Sequence, residues 1–403
     1  MPHESPTATL VAPDAVGDLF RLWEAPTEGR PGVQKVGDHV LVAGHAAVRA
    51  VLADPDTYAP DNALDAVTPI PVTALRVLTG HGFRLPPTLA NNGTASHPEI
   101  RGIVAAALHP ARVEQQRAWL TGTVRRRVAG LAARLRAGEP VDLYADLAAD
   151  LPLRVLARMI ELPAGDVGVV KDFSRAALEL FWAPLDEDRQ VALARVVGRY
   201  HEVLRVSAMS AGGMVGELRE YARQRGARAA DLVVGALFFL LVAGQETTSQ
   251  FLTLLLHRLA AEPGALDRLA AGAVSVEDVV EEGLRFEPPI VSWRRVATRD
   301  TVLDGVDVPR GASVVLWLAA AGRDRAVVAS PEAFCPGQRG ARRHLAFGAG
   351  AHRCLGAQLS RMEAAVVVAE CAPLLRGVRV LRAPHSPDNL SFRMPDSLVV
   401  ARR

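Results

Sequence analysis

The stretch Phe347-Gly348-Ala349-Gly350-Ala351-His352-Arg353-Cys354-Leu355-Gly356 sets one cysteine behind a glycine-rich approach, and an apolar helical pattern runs on from Leu355 through Ala372. Glycines ahead of a thiol let the backbone come close to something large and flat, because they carry no Cβ. Cys354 stands just before a helix N-terminus, where orphan amide protons and the helix dipole favour a thiolate. A thiolate in apolar surroundings, hydrogen-bonded by backbone amides, suits an axial ligand to haem iron, where its electron donation favours O–O cleavage. Two blander readings stand beside this one. Cys354 is an ordinary buried cysteine in the first, the usual fate of a lone thiol. The second is a zinc site of His344, His352 and Cys354; it is weaker, because only Cys335, Cys354 and Cys371 exist and none is paired at Cys-x-x-Cys spacing.

A second chemistry-bearing stretch lies in the longest periodic segment, Asp231 to Leu259, which at about 1.5 Å per residue spans some 40 Å. Inside it stands Ala243-Gly244-Gln245-Glu246-Thr247-Thr248. Polar residues after a glycine in an apolar helix carry a cost and need a reason. Either the glycine kinks the helix and hydroxyls back-bond, or the opening serves chemistry. Further back, His97 and Arg101 fall one turn apart on one helix face. Glu282 and Arg285 sit three apart, also facing the same way.

The cysteine stretch resembles the haem-binding signature of the cytochrome P450 family, the haem-thiolate monooxygenases, whose pattern Phe-Gly-x-Gly-x-His-x-Cys-x-Gly is matched at every fixed position. That resemblance implies a mainly helical fold with a smaller β part, a long central helix, and haem b (iron protoporphyrin IX) buried before a C-terminal helix. It makes Cys354 the iron ligand, with Phe347, Gly348, Gly350, His352 and Gly356 shaping the haem loop. His97 and Arg101 would meet the haem propionates, as would Arg295 and His344. The family's Ala/Gly-Gly-x-Asp/Glu-Thr motif is intact, so Ala243 and Gly244 would open the helix beside the iron. Thr247 would then hold bound oxygen and a water, and Glu246 would feed protons. The Glu282–Arg285 pair resembles a buried one that pins the segment before the haem loop. Trp182, Phe239, Val291, Trp293 and Met394 are the expected substrate contacts. Three departures stand out: Asn92-Gly93-Thr94-Ala95-Ser96 replaces an acidic, proline-containing turn, Gly322 and Arg325 flank Arg323-Asp324, and Cys335-Pro336 replaces an aspartate-proline turn.

Composition is compatible with this. The 403 residues are 49% apolar, enough for a large core, and no composition shift marks a linker, so one domain over 1–403 is expected. The 46 basic residues nearly balance the 44 acidic ones, so bulk charge predicts no nucleic-acid partner. Three cysteines without framework spacing fit a reducing cytoplasm. Met1 to Phe20 has no apolar core for a signal peptide, and Leu232 to Gly244 is too short to span a bilayer, so no membrane anchor is expected. No flavin or iron–sulfur module is apparent. Electrons would come from a separate ferredoxin and ferredoxin reductase, with Arg112, Arg342, Arg343, Arg353 and Arg361 as an acidic partner's docking patch or a solvated basic surface.

In order along the chain, residues 1–30 read as irregular, Gln34 to Val42 as a hairpin around Gly37-Asp38, and His45 to Leu52 as a helix. Asp54 to Asn92 is broken by six prolines and reads as a structureless cap. Helices follow over Val113–Arg136 and Leu143–Ile160, then two across Asp166–Leu204 broken near Trp182-Ala183-Pro184-Leu185, which the resemblance makes a mobile lid. Ser275 and Asp278 form a capping-box pattern, Pro288-Pro289 stop that helix, and β-prone pieces follow. The expected activity is oxidation of a small organic molecule by dioxygen, most simply hydroxylation, in bacterial natural-product biosynthesis. Aryl coupling or nitration, or a haem protein without turnover, are the alternatives.

Overall fold

The computed structural model describes residues 13–27, 29–162, 166–226 and 229–403. Residues 1–12 of the irregular leading segment lie outside that range, and the segment's described part opens with a 3-10 helix at Pro13–Arg21. Helices make up most of the chain and strands gather in smaller sheets. The central helices are α1 (His97–Ala107), α2 (Pro110–Arg136), α3 (Leu151–Met159), α4 (Val167–Trp182), α5 (Glu187–Ser210), α6 (Ala229–Ala243), α7 (Glu246–Ala261), α8 (Val276–Phe286) and α9 (Ala357–Leu375).

The long central segment is two helices, α6 and α7, joined at Gly244-Gln245. A Cβ on Gly244 would lie 2.5 Å from the Leu240 carbonyl oxygen, so any larger residue would force the turn apart. Side chains meet the carbonyls near the break: Gln245 Nε2 donates to Leu241 O at 2.9 Å and Thr247 Oγ1 donates to Ala243 O at 2.6 Å. By length and composition, 231–261 could cross a bilayer, yet 72% of its most apolar window is buried inside the protein, as in a core helix. Around it, α9 packs on α2, α7 and α8, joining Leu120, Val124 and Leu131 to Val367, Val368 and Cys371 in one core.

Two expectations change. Residues 143–160 are not one helix, because a π turn at Tyr144–Ala148 precedes α3, whose first turn holds Pro152, a residue that starts helices better than it continues them. The 54–92 cap is not structureless: Asp61–Leu64 forms a 3-10 turn and Val72–Gly80 an α-helix begun by Pro71 at its N-cap. The break between α4 and α5 lies where expected, with the Asp186 side chain accepting from Arg189 N at 2.8 Å to cap α5.

The larger sheet holds β1 (Val33–Val36), β2 (His39–Val42), β3 (Tyr58–Ala59), β4 (Trp293–Ala297) and β5 (Ser313–Leu316) in the order β1-β2-β5-β4-β3. Only β2 and β5 pair in parallel. Since alternate residues of β4 face opposite ways, Trp293 and Arg295 share one face. A three-stranded sheet joins Val141–Asp142, Val399–Arg402 and Val378–Arg382.

Glu363 on α9 is fully buried, and neither carboxyl oxygen has a protein partner. Burial pushes its pKa up from 4.5 to about 8. A folded pKa above the unfolded one means no penalty below about pH 4.5, then a stability loss that grows as pH rises towards about 8. Glu363→Gln is expected to remove that decline and raise stability at neutral pH by on the order of 3 kcal/mol. Urea midpoints across this pH range check it; parallel curves for both proteins would contradict it.

Candidate active site

One cavity gathers most of the residues singled out in the sequence. About 1410 Å³ of space, part of it continuous with open solvent, lies between its walls. The cysteine loop supplies Phe347, Gly348, His352, Cys354 and Gly356; α6, α7 and the join between them supply Phe239, Leu240, Ala243, Gly244, Thr247 and Thr248. Arg101, Leu89, Ala90, Ile290, Trp293, Arg295 and Phe392 also reach it.

The loop is held open by geometry that only glycine tolerates. Gly350 has φ 69°, and a Cβ there would lie 2.3 Å from Leu52 O. Gly348 has φ 64°, with no atom within 4 Å of where its Cβ would be. Cys354 N donates to Phe347 O at 2.9 Å, closing the loop on itself. The Cys354 thiol is accessible through the cavity and otherwise enclosed by protein. Burial pushes its pKa up, opposed by the Gly356 amide and by Arg101, Arg353 and Arg361. Arg361 lies over the Phe347 ring at 4.5 Å and donates to Glu281, at 2.5 Å through Nε and 3.2 Å through Nη2.

One edge of the cavity is cationic. Arg295 is almost fully buried and donates through Nη1 to Arg294 O at 2.8 Å, with no carboxylate partner among the described residues. Burial lowers its pKa to about 10. Arg101 Nη2 donates to Arg353 O at 2.5 Å. The rings of His97 and His352 stack with centroids 4.1 Å apart, and His97 Nε2 is buried without a partner. Burial, aided by His97, Arg295 and Arg101, pushes His352 down to about 4, so it is neutral in this setting. These groups form a seat short of negative charge.

At the helix break the two adjacent polar residues part company. Thr247 lines the cavity, but Glu246 does not. Glu246 is fully buried, its Oε1 2.6 Å from Lys171 Nζ on α4 and 3.1 Å from Gln245 Nε2, while its Oε2 has no partner. Lys171 also donates to Gln245 Oε1 at 3.1 Å.

The family model described as Cytochrome P450 matches residues 274–394. The 20-oxo-5-O-mycaminosyltylactone 23-monooxygenase of Streptomyces fradiae is 32% identical over 343 residues, covering 83% of this chain and 77% of that protein. The chain belongs to the cytochrome P450 family. It is a haem-dependent monooxygenase, and it is also similar to cytochrome P-450 monooxygenase DoxA of Streptomyces sp. (strain C5), 30% identical over 91% of this chain and 88% of DoxA. Among solved structures, cytochrome P450 CREJ in complex with (4-ethylphenyl) dihydrogen phosphate superposes with a TM-score of 0.86 at 26% identity, covering 93% of this chain and 94% of CREJ.

The residues present in this cytochrome P450 fit a haem. An accessible thiol, an open face at Gly348, and the buried, acid-free guanidinium of Arg295 beside the half-buried Arg101 suit a flat macrocycle with two carboxylates.

Several expected site residues lie elsewhere. His344 is absent from the cavity wall; its Nε2 sits 3.2 Å from Glu281 Oε2, in the carboxylate that also binds Arg361. It therefore supports the loop from behind. Val291 is buried in a separate core with Leu19, Trp317 and Leu390, and Ile290 takes the wall position, a one-residue slip. Met394 has φ 46° and is turned toward Asn389, while Phe392 reaches the cavity. Trp182 stands behind the wall, stacked on Trp293 at 6.3 Å. Gly350 serves the loop and His97 the second layer through His352. Lys171 was not foreseen, although it is one of only two lysines in the chain and falls on a largely apolar helix.

Proposed function

We propose that this cytochrome P450 binds haem b through the Cys354 thiolate and oxidises a small apolar molecule in bacterial natural-product tailoring. The observation that carries the reading is the meeting, in one cavity, of the Cys354 thiol, the acid-free guanidinium of Arg295 and the Thr247 hydroxyl. Arg101, Arg295 and His352 would hold the propionates, with His97 behind His352. The haem, once bound and reduced, supplies the activation of dioxygen. Thr247 Oγ1, at the helix opening, orients a proton donor toward the cavity, and the free Glu246 Oε2 is the atom available to take up and pass on a proton. Phe239, Leu240, Ile290 and Phe392 exclude water from the reacting face.

Tailoring of natural products rests on relatives such as the Streptomyces fradiae enzyme, and a cytoplasmic setting on the same kinship. Electrons come from a separate ferredoxin and its reductase. Of the five arginines offered as its dock, Arg112 pairs with Glu161, Arg342 with Asp278 and Arg361 with Glu281. Arg343 and Arg353 carry the exposed positive charge that remains.

Reduced protein with carbon monoxide tests the ligand: the thiolate-type band is expected in the parent and absent in Cys354→Ala. A pyridine haemochrome spectrum identifies haem b. Thr247→Ala is expected to lower product formed per electron pair by about tenfold or more, with the surplus appearing as peroxide. Unchanged coupling would remove Thr247 from proton delivery.

A further inference from the structure

Resting on the reading of this cavity as the oxidation site, we infer that its substrate is an uncharged, planar aromatic molecule that lies against Trp293. Trp293 is the broadest side chain in the wall, and it is fixed from behind. Trp182 stacks on it at 6.3 Å and 28°, and Phe392 meets it edge-on at 6.1 Å and 81°. Phe392 also meets Trp182 edge-on, at 5.0 Å and 73°, so the three rings brace one another. A ring held this way presents a platform without losing side-chain freedom on binding, and aromatic pairs gain more than their buried area alone provides.

The rest of the wall disfavours charge. No Asp, Glu or Lys lines the cavity among the described residues, and its cationic residues are Arg101, Arg295 and the exposed Arg353. A cationic ligand finds repulsion and no counter-ion, at a desolvation cost that nothing offsets. An anionic ligand competes with the propionates for the same guanidiniums. Phe239, from α6, adds a further aromatic edge. Small residues, Ala90 and Ala243, leave the remaining wall thin.

The test uses haem-loaded ferric protein and four probes on one bicyclic frame: naphthalene, its saturated counterpart decalin, 2-naphthoate, and a 2-naphthyl trimethylammonium ion, which cannot ligate iron. Binding is read as the shift of the haem band. Naphthalene is expected to bind about fivefold more tightly than decalin and more than about tenfold more tightly than either ion. Trp293→Leu is expected to bring the naphthalene-to-decalin ratio close to one, while its reduced carbon monoxide band stays at the parent position and so reports an intact haem seat. Decalin or an ion binding as tightly as naphthalene overturns the inference. So does a naphthalene that moves nothing, or a ratio that survives Trp293→Leu. Loss of the thiolate-type band in the parent protein would instead overturn the reading of the site on which the inference rests.

Discussion

Arg285→Ala is expected to cost about 3–5 kcal/mol of folding stability and to yield protein that does not retain haem. Arg285 and Glu282 are both fully buried in their side chains, three apart on α8, and paired at 2.8 Å through Nε and 2.7 Å through Nη2. The remaining guanidinium protons go to backbone: Nη1 donates to Gly322 O at 3.1 Å and Pro331 O at 2.8 Å, and Nη2 to Ala333 O at 2.8 Å. Glu282 Oε1 also accepts from Cys335 N and Gln338 Nε2, each at 2.7 Å. One ion pair thus holds the segment 322–338, and the cysteine loop hangs from the end of that segment. Losing the fork strands a buried carboxylate and frees three carbonyls together, which is why the cost exceeds that of a surface pair. Lysine keeps the charge but not the planar fork, so Arg285→Lys is expected to recover only part of the loss. Urea midpoints and the amplitude of the reduced carbon monoxide band measure both effects. A variant with the parent midpoint and full haem content would mean that the segment is held by other contacts.

This pair also shows why some of the molecule was legible in the sequence. Wherever chemistry is carried by backbone shape, the residue type betrays it: Gly350 and Gly348 adopt left-handed φ, and Gly244 sits where a Cβ would strike a carbonyl. Cys354, Thr247 and His352 stand at fixed spacings from such positions, and Arg101 stands one helical turn from His97, so spacing singles them out. Helix capping is equally local, and the Ser275–Asp278 box forms as its pattern expects. Pocket walls are not local. Ile290 and Phe392 pair through an isolated bridge across a hundred residues, and which of Ile290 or Val291 faces the cavity depends on that pairing rather than on either neighbourhood. Met394, expected in the pocket by resemblance alone, has a left-handed backbone and turns toward Asn389 instead. The aromatic platform needed three separate chain segments to meet.

Lys171 is the clearest case of a partner hidden by distance, and its removal has the second large expected effect. Lys171 Nζ lies 2.6 Å from Glu246 Oε1, with the carboxylate side chain wholly buried and the lysine side chain 10% exposed. Burial lowers the lysine's pKa, and Glu246 opposes that shift. Lys171→Ala leaves a buried carboxylate without its cation, at a cost of about 3–5 kcal/mol when that carboxylate is ionised. Urea midpoints of Lys171→Ala and the parent at neutral pH measure that cost. Replacing both charges together, as Lys171→Met with Glu246→Gln, is expected to recover most of the stability while leaving no carboxylate to move protons. That double variant separates two roles the single changes confuse: if proton passage runs through Glu246 Oε2, it stays folded and binds haem yet forms less product per electron pair. Full coupling in the double variant would confine Glu246 to holding α4 against the helix break. A gap near zero for Lys171→Ala would show that the pair does not hold α4 against the helix break.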